Sequence, residues 1–247
     1  MSQQAYKCIV TGDALLYLMG LCYNLRIGLL VTLIVLALGA CKGGEKEAKP
    51  HPLPEDPQVL HAGEYRSEEF EPSLSFTVGK GWINEPLQLP DQLAITRGLI
   101  GGLGFANVQE VYEPTKTGTP KVVEAPEDLL GWFEHHPYLQ TQKPQSVSVG
   151  GIKGEQLDVV VEEVPEEYSG VCSMGPRSED CVDLFRLSSG LPGGLIALYG
   201  GDKVRMIVLE DVKGETVTIG IGSPAPTFDE FLPKAQKVLH SVMWSGR

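Results

Sequence analysis

Two cysteines in one loop, two adjacent histidines, four clustered glutamates and a run of glycines are the residues whose spacing invites chemistry. Cys172 and Cys181 flank Ser173 to Asp180, a stretch of turn formers and charges. Two isolated thiols in one exported loop read as a disulfide. The competing reading, a redox or metal pair, has neither C-x-x-C spacing nor a nearby histidine behind it. His135 and His136 point about 100° apart on a helix, which ill suits one metal ion; imidazoles closing a helix gain from its dipole without binding anything. Glu162, Glu163, Glu166 and Glu167 lack the alternating spacing and the glycine of a calcium loop and read as a solvated acidic turn. Gly98 to Gly104 (GLIGGLG) lacks the G-K-[ST] ending of a phosphate loop. Its apolar members Leu99 and Ile100, with Leu103 and the following Phe105, are the candidate binding residues; the alternative is that they plug a sheet edge. No G-x-S-x-G elbow or H-E-x-x-H occurs, so no catalytic residue, no metal site and no cofactor is expected.

A third cysteine, Cys41, carries a different chemistry. Ile27 to Ala40 is an uncharged apolar run behind Arg26. As a helix it spans roughly 21 Å, short of the ~30 Å hydrocarbon core, which favours a signal peptide over a permanent anchor. The run ends in Leu38-Gly39-Ala40-Cys41, which resembles the bacterial lipobox, whose cysteine accepts a lipid. The expectation is therefore a signal peptide over residues 1–40, with Met19 as an alternative start, and membrane attachment through lipid on Cys41. A signal anchor with a chance cysteine is the competing reading. Lys42 to Gly63 is rich in charge and proline and reads as a solvated tether, with a coil reach on the order of 25 Å. Residues 64–247 then form one domain.

The chain carries net charge −12. Residues 1–40 hold Lys7, Arg26 and Asp13, so 20 basic and 32 acidic residues become 18 and 31 in the mature chain, net −13. Such a surface repels phosphate backbones and excludes nucleic acid as an expected partner. It also disfavours broad adsorption onto anionic lipid, so attachment is expected to be covalent.

The elements that must position these residues are mostly strands. Leu74 to Val78 alternates and ends in the turn Gly79-Lys80-Gly81 before Trp82. Val108–Tyr112, Ser146–Val149, Gln156–Val161, Val204–Val212 and Thr216–Ile221 are further strands, the last two joined by a tight Lys213-Gly214 turn. Two helices are predicted. One covers Pro126 to His135, with Leu129, Leu130 and Phe133 on its buried face. The other begins at Thr227 with Glu230 completing a capping box, and Pro233 is expected to kink or restart it. The fold class that follows is α+β: an antiparallel sheet covered by two or more helices.

The Leu74–Trp82 strand and turn, Asp128-Leu129-Leu130-Gly131-Trp132-Phe133 and the Phe228–Ser241 segment together resemble actinobacterial-type lipoproteins of unknown function, similar in layout to the PsbP/LpqN-like α/β/α sandwiches. The resemblance covers most of residues 64–244. It implies that fold and, by analogy, a docking or accessory role rather than catalysis. The leading expectation is a non-catalytic, extracytoplasmic lipoprotein that docks an envelope protein. A ligand- or metal-binding accessory of a transporter or sensor stands second, an unrecognised hydrolase third.

Overall fold

The computed structural model describes residues 49–85, 88–174, 180–187 and 195–245; the apolar run, Cys41 and tether residues 42–48 fall outside them. Along the chain the strands are β1 (His51–Pro52), β2 (Gln58–Val59), β3 (Gly63–Ser67), β4 (Leu74–Val78), β5 (Ile83–Asn84), β6 (Gln92–Thr96), β7 (Gly102–Asn107), β8 (Glu110–Glu113) and β9 (Lys121–Glu124). Helix α1 (Leu129–Glu134) precedes β10 (Leu139–Thr141), β11 (Gln145–Val149), β12 (Ile152–Val161), β13 (Cys181–Arg186), β14 (Leu195–Tyr199), β15 (Asp202–Val212) and β16 (Glu215–Pro224). Helix α2 (Phe228–Leu239) and β17 (Met243–Trp244) follow.

The strands form a central nine-stranded sheet, ordered β10-β12-β15-β16-β7-β6-β5-β2 with β11 also on β12, and two four-stranded sheets, β1-β3-β4-β17 and β14-β13-β8-β9. Both faces of the central sheet are buried, and β15 shows how. Val204, Met206 and Val208 enter one core with β8, β13 and α1, while Ile207 and Leu209 enter the other with β4 and α2. A strand buried on both sides reads as a continuous apolar run rather than an alternation.

The expected fold, a sheet covered by two or more helices in an α/β/α sandwich, is therefore incorrect. Strands dominate, and the central sheet is faced chiefly by two smaller sheets. The reason is dimensional. Because β10 and β11 share one edge of β12, the sheet is eight strands across, roughly 34 Å at ~4.8 Å per strand, whereas a 12-residue helix is only about 18 Å long and 10 Å across. The six-residue α1 covers less still.

The helices also start differently from the sequence expectation. Asp128, not Pro126, opens α1, its carboxylate accepting the Gly131 amide at 2.7 Å. No capping box forms at Thr227, whose hydroxyl donates to the Pro224 carbonyl instead. Helix α2 runs through Pro233 and buries Phe228, Phe231, Ala235, Val238 and Leu239.

The folded body begins well before residue 64. His51 pairs with Tyr65, the Leu53 amide donates to the Arg66 carbonyl, and the Leu60 amide donates to the Trp82 carbonyl. Leu53 and Leu60 are buried, so the second half of the expected tether is structured. Two-residue strands in a proline-rich stretch carry no periodicity of their own and exist only through these partners.

Candidate docking surface

The β6–β7 hairpin divides the candidate binding residues by strand parity. Leu103 and Phe105 point from β7 into the core, each 1% exposed. They belong to an interior strand between β6 and β16 and plug no sheet edge. As contact residues they are excluded, because alternation sends every second side chain of this glycine-rich run inward. Leu99 and Ile100 lie in the connecting turn, 96% and 40% exposed. Gly98 takes a left-handed conformation (φ 60°) that a side chain would resist, which lets the chain reverse there.

Beneath the exposed pair the turn is clamped. The Arg97 amide donates to the Gly101 carbonyl, and the Arg97 guanidinium carbon lies 5.7 Å from the centre of the buried Trp82 ring. Trp82 in turn packs on Phe231 of α2, ring centres 5.9 Å apart. The Gly79–Gly81 turn touches the same guanidinium, since a Cβ on Gly81 would lie 3.2 Å from Arg97 Nη2. Lys80, exposed, stands in that turn. Beside it Val59 of the edge strand β2, 64% exposed, pairs with Ile83, which pairs with Thr96 next to Arg97. One end of the central sheet thus presents apolar side chains on a rigid base, flanked by two cations.

Comparison with known proteins leaves this description standing by itself. The chain matches no protein family and no curated protein. It is similar to the solution structure of cyanobacterial PsbP from Synechocystis sp. PCC 6803, at 11% identity over 75% of this chain and 95% of that one, TM-score 0.37. It is also similar to LpqN, described as involved in cell envelope biogenesis of Mycobacterium tuberculosis, at 10% identity over 76% and 90%, TM-score 0.27. Likenesses this distant carry no argument, so function is read from the residues.

Cys172 and Cys181 form a disulfide, their Cα atoms 6.1 Å apart. The sequence reading missed its support. Asp183 is buried in β13, and its carboxylate accepts the amides of Val171 at 2.6 Å and Cys172 at 2.9 Å, while its own amide donates to the Tyr168 hydroxyl at 3.0 Å. Burial first, and then the Asp183 carboxylate, push the Tyr168 hydroxyl up to about 12. A lone aspartate inside the apolar run Cys-Val-Asp-Leu-Phe was the available signal, because a buried carboxylate must find donors.

His135 and His136 diverge. His135 is exposed, its Nδ1 2.6 Å from the Gly131 carbonyl oxygen, whereas His136 is buried against Trp132 and Tyr138. Burial lowers the His136 pKa to about 4. The four glutamates of residues 162–167 are all exposed. Among the described residues, no group of three or more His, Cys, Asp or Glu side chains is placed to hold a metal ion, and no helix is long and apolar enough to cross a membrane.

One cavity, of about 400 Å³, lies at the other end of the molecule between the β3–β4 turn and the β15–β16 turn. Glu68, Glu71, Glu215 and Lys213 line it, with Ser73 and Ser245.

Proposed function

We propose that this chain is a lipid-anchored protein of a bacterial cell envelope, held on the extracytoplasmic side through Cys41, and that its domain is a non-catalytic module making contact through the β6–β7 turn. The anchor reading is supported by the short apolar run ending in Leu-Gly-Ala-Cys. The contact reading is carried by one observation: Leu99 is almost fully exposed at the tip of a hairpin whose base is fixed by Arg97, Trp82 and Phe231. A projecting apolar side chain on a rigid support is suited to meeting another surface with little ordering on contact.

The experiment has two arms. Cys41→Ala should abolish palmitate labelling and leave a larger, unprocessed precursor; unchanged labelling and size would defeat the anchor. A photo-crosslinking residue at position 99 in the full chain, irradiated in intact cells, should capture an envelope component, and capture should be lost when Ile100 is changed to Asp. Absence of any adduct would remove the turn from the proposal. Position 103 makes no useful test, since Leu103 belongs to the core.

A further inference from the structure

We infer that the surface met by the β6–β7 turn is the bilayer itself, with Leu99 and Ile100 in the membrane interface and Arg97 and Lys80 at the level of the lipid phosphates. The inference rests on the lipid anchor proposed above and names the partner of that same turn. It begins from where the folded chain starts. Strand β1 runs parallel to β3, with His51 beside Tyr65 at the end where β3 begins. There Gly63 pairs with Val78, and the next three residues form the turn that abuts Arg97. Lys49 and Pro50, which lead back toward Cys41, therefore leave the domain at the end that carries Leu99, Ile100, Lys80 and Val59.

The reach of the connecting chain fixes the consequence. Structure beginning at His51 leaves ten residue steps from Cys41, at most ~35 Å even fully extended. Strand β15, which runs from this end to the opposite one, is itself about 33 Å long over its eleven residues, so even a fully stretched chain would barely bring the far end to the anchor. A lipid on Cys41 therefore holds this end of the domain, and not the opposite one, against the membrane.

The chemistry of the two ends agrees with that orientation. The near end projects apolar side chains beside two cations, and the interface accepts this pairing: aliphatic groups enter the acyl boundary while long basic side chains reach phosphate. Asp202, paired with Pro224 just beyond the Gly222–Gly102 pair, also lies near this end, so general attraction to anionic lipid is not the driving term; burial of the tip is. The opposite end carries the cavity with three glutamates, a group the membrane surface would repel.

The test uses the full, lipidated protein reconstituted in mixed phosphatidylethanolamine–phosphatidylglycerol vesicles. Leu99→Cys and, as a control at the opposite end, Glu215→Cys each carry a polarity-sensitive fluorophore. Position 99 should shift to the blue and be quenched by spin-labelled lipid about threefold more than position 215, and Lys80→Glu should reduce that difference. Equal quenching at the two positions in palmitate-bearing protein would overturn the inference and leave the anchor intact. So would a blue shift at position 99 that appears only when envelope proteins are added, which would assign the turn to a protein partner. Absence of palmitate from the wild-type chain would overturn the anchor, and this inference with it.

Discussion

Gly101 lies against the ring of Phe231: a Cβ on that glycine would stand 2.7 Å from the ring's Cδ1 and Cε1, and equally close to the carbonyl oxygen of Gly222. The ring is buried and the carbonyl belongs to β16, so neither can easily yield. Gly101→Ala should destabilise the domain by about 1–3 kcal/mol through overpacking. Leu99→Ser, two residues away but exposed, should change stability by no more than about 0.5 kcal/mol. Thermal unfolding of both variants decides whether the turn is clamped; equal midpoints would show that it is not.

The Cys172–Cys181 bond should appear in the non-reduced protein as a peptide pair two hydrogens lighter than its reduced form. Closing so short a loop contributes about 2–3 kcal/mol in the chain-entropy account, so Cys172→Ser with Cys181→Ser should lower stability by that order. Asp183→Leu should also be strongly destabilising, because the Val171 and Cys172 amides would lose their acceptor. Alkylation of both thiols without prior reduction would refute the pairing.

His136 predicts an acid limb to stability. Its Nδ1 accepts the Tyr138 amide at 3.3 Å, and its Nε2 is buried without a partner among the described residues. The folded pKa of about 4 lies below the ordinary 6.5, so the unfolded chain binds the proton more readily. Stability is therefore full above pH 6.5 and declines as pH falls toward 4, by about 3 kcal/mol at most from this residue. His136→Gln should flatten that part of the profile in urea titrations between those limits. A wild-type-minus-variant difference that does not change with pH would contradict the assignment.

Asp158 on β12 sits across from Arg205 on β15, its carboxylate 2.7 Å from Arg205 Nε and 2.9 Å from Lys203 Nζ. Burial works to raise its pKa, but the hydrogen bonds from Arg205 and Lys203 prevail and hold it below the usual value. Asp158→Ala would leave two partly buried cations together and should destabilise by about 3 kcal/mol. Adding Arg205→Ala should cost less than the sum of the two single changes, as a double-mutant cycle would read. Strict additivity would mean that the pair is not coupled.

Much of the local structure was legible because it is written in period-two or helical spacing. Leu74–Val78 is a strand over the span read from its alternation, Lys213 and Gly214 both take the positive φ that a tight hairpin turn needs, and Phe228 to Leu239 is one helix. The layering was not legible. Nothing in β4 or β13 states that each belongs to a separate small sheet, since that depends on partners as distant as Trp244 for Leu74. The candidate site was half legible. Gly102-Leu103-Gly104-Phe105 alternates as a strand, a signal hidden by its glycines, and only the residues before it remain in the turn. Asp183 and His136 escaped because their roles depend on burial, which no spacing records.

The ladder between β7 and β16 joins residues 110 positions apart, Asn107 to Val217, and β17 reaches back 170 positions from Trp244 to Leu74. Such closures are entropically slow and place the domain among the slower-folding topologies. For a chain exported as proposed above, that delay would be useful. The central sheet cannot be completed until β16 has emerged, which would keep such a chain threadable during its passage.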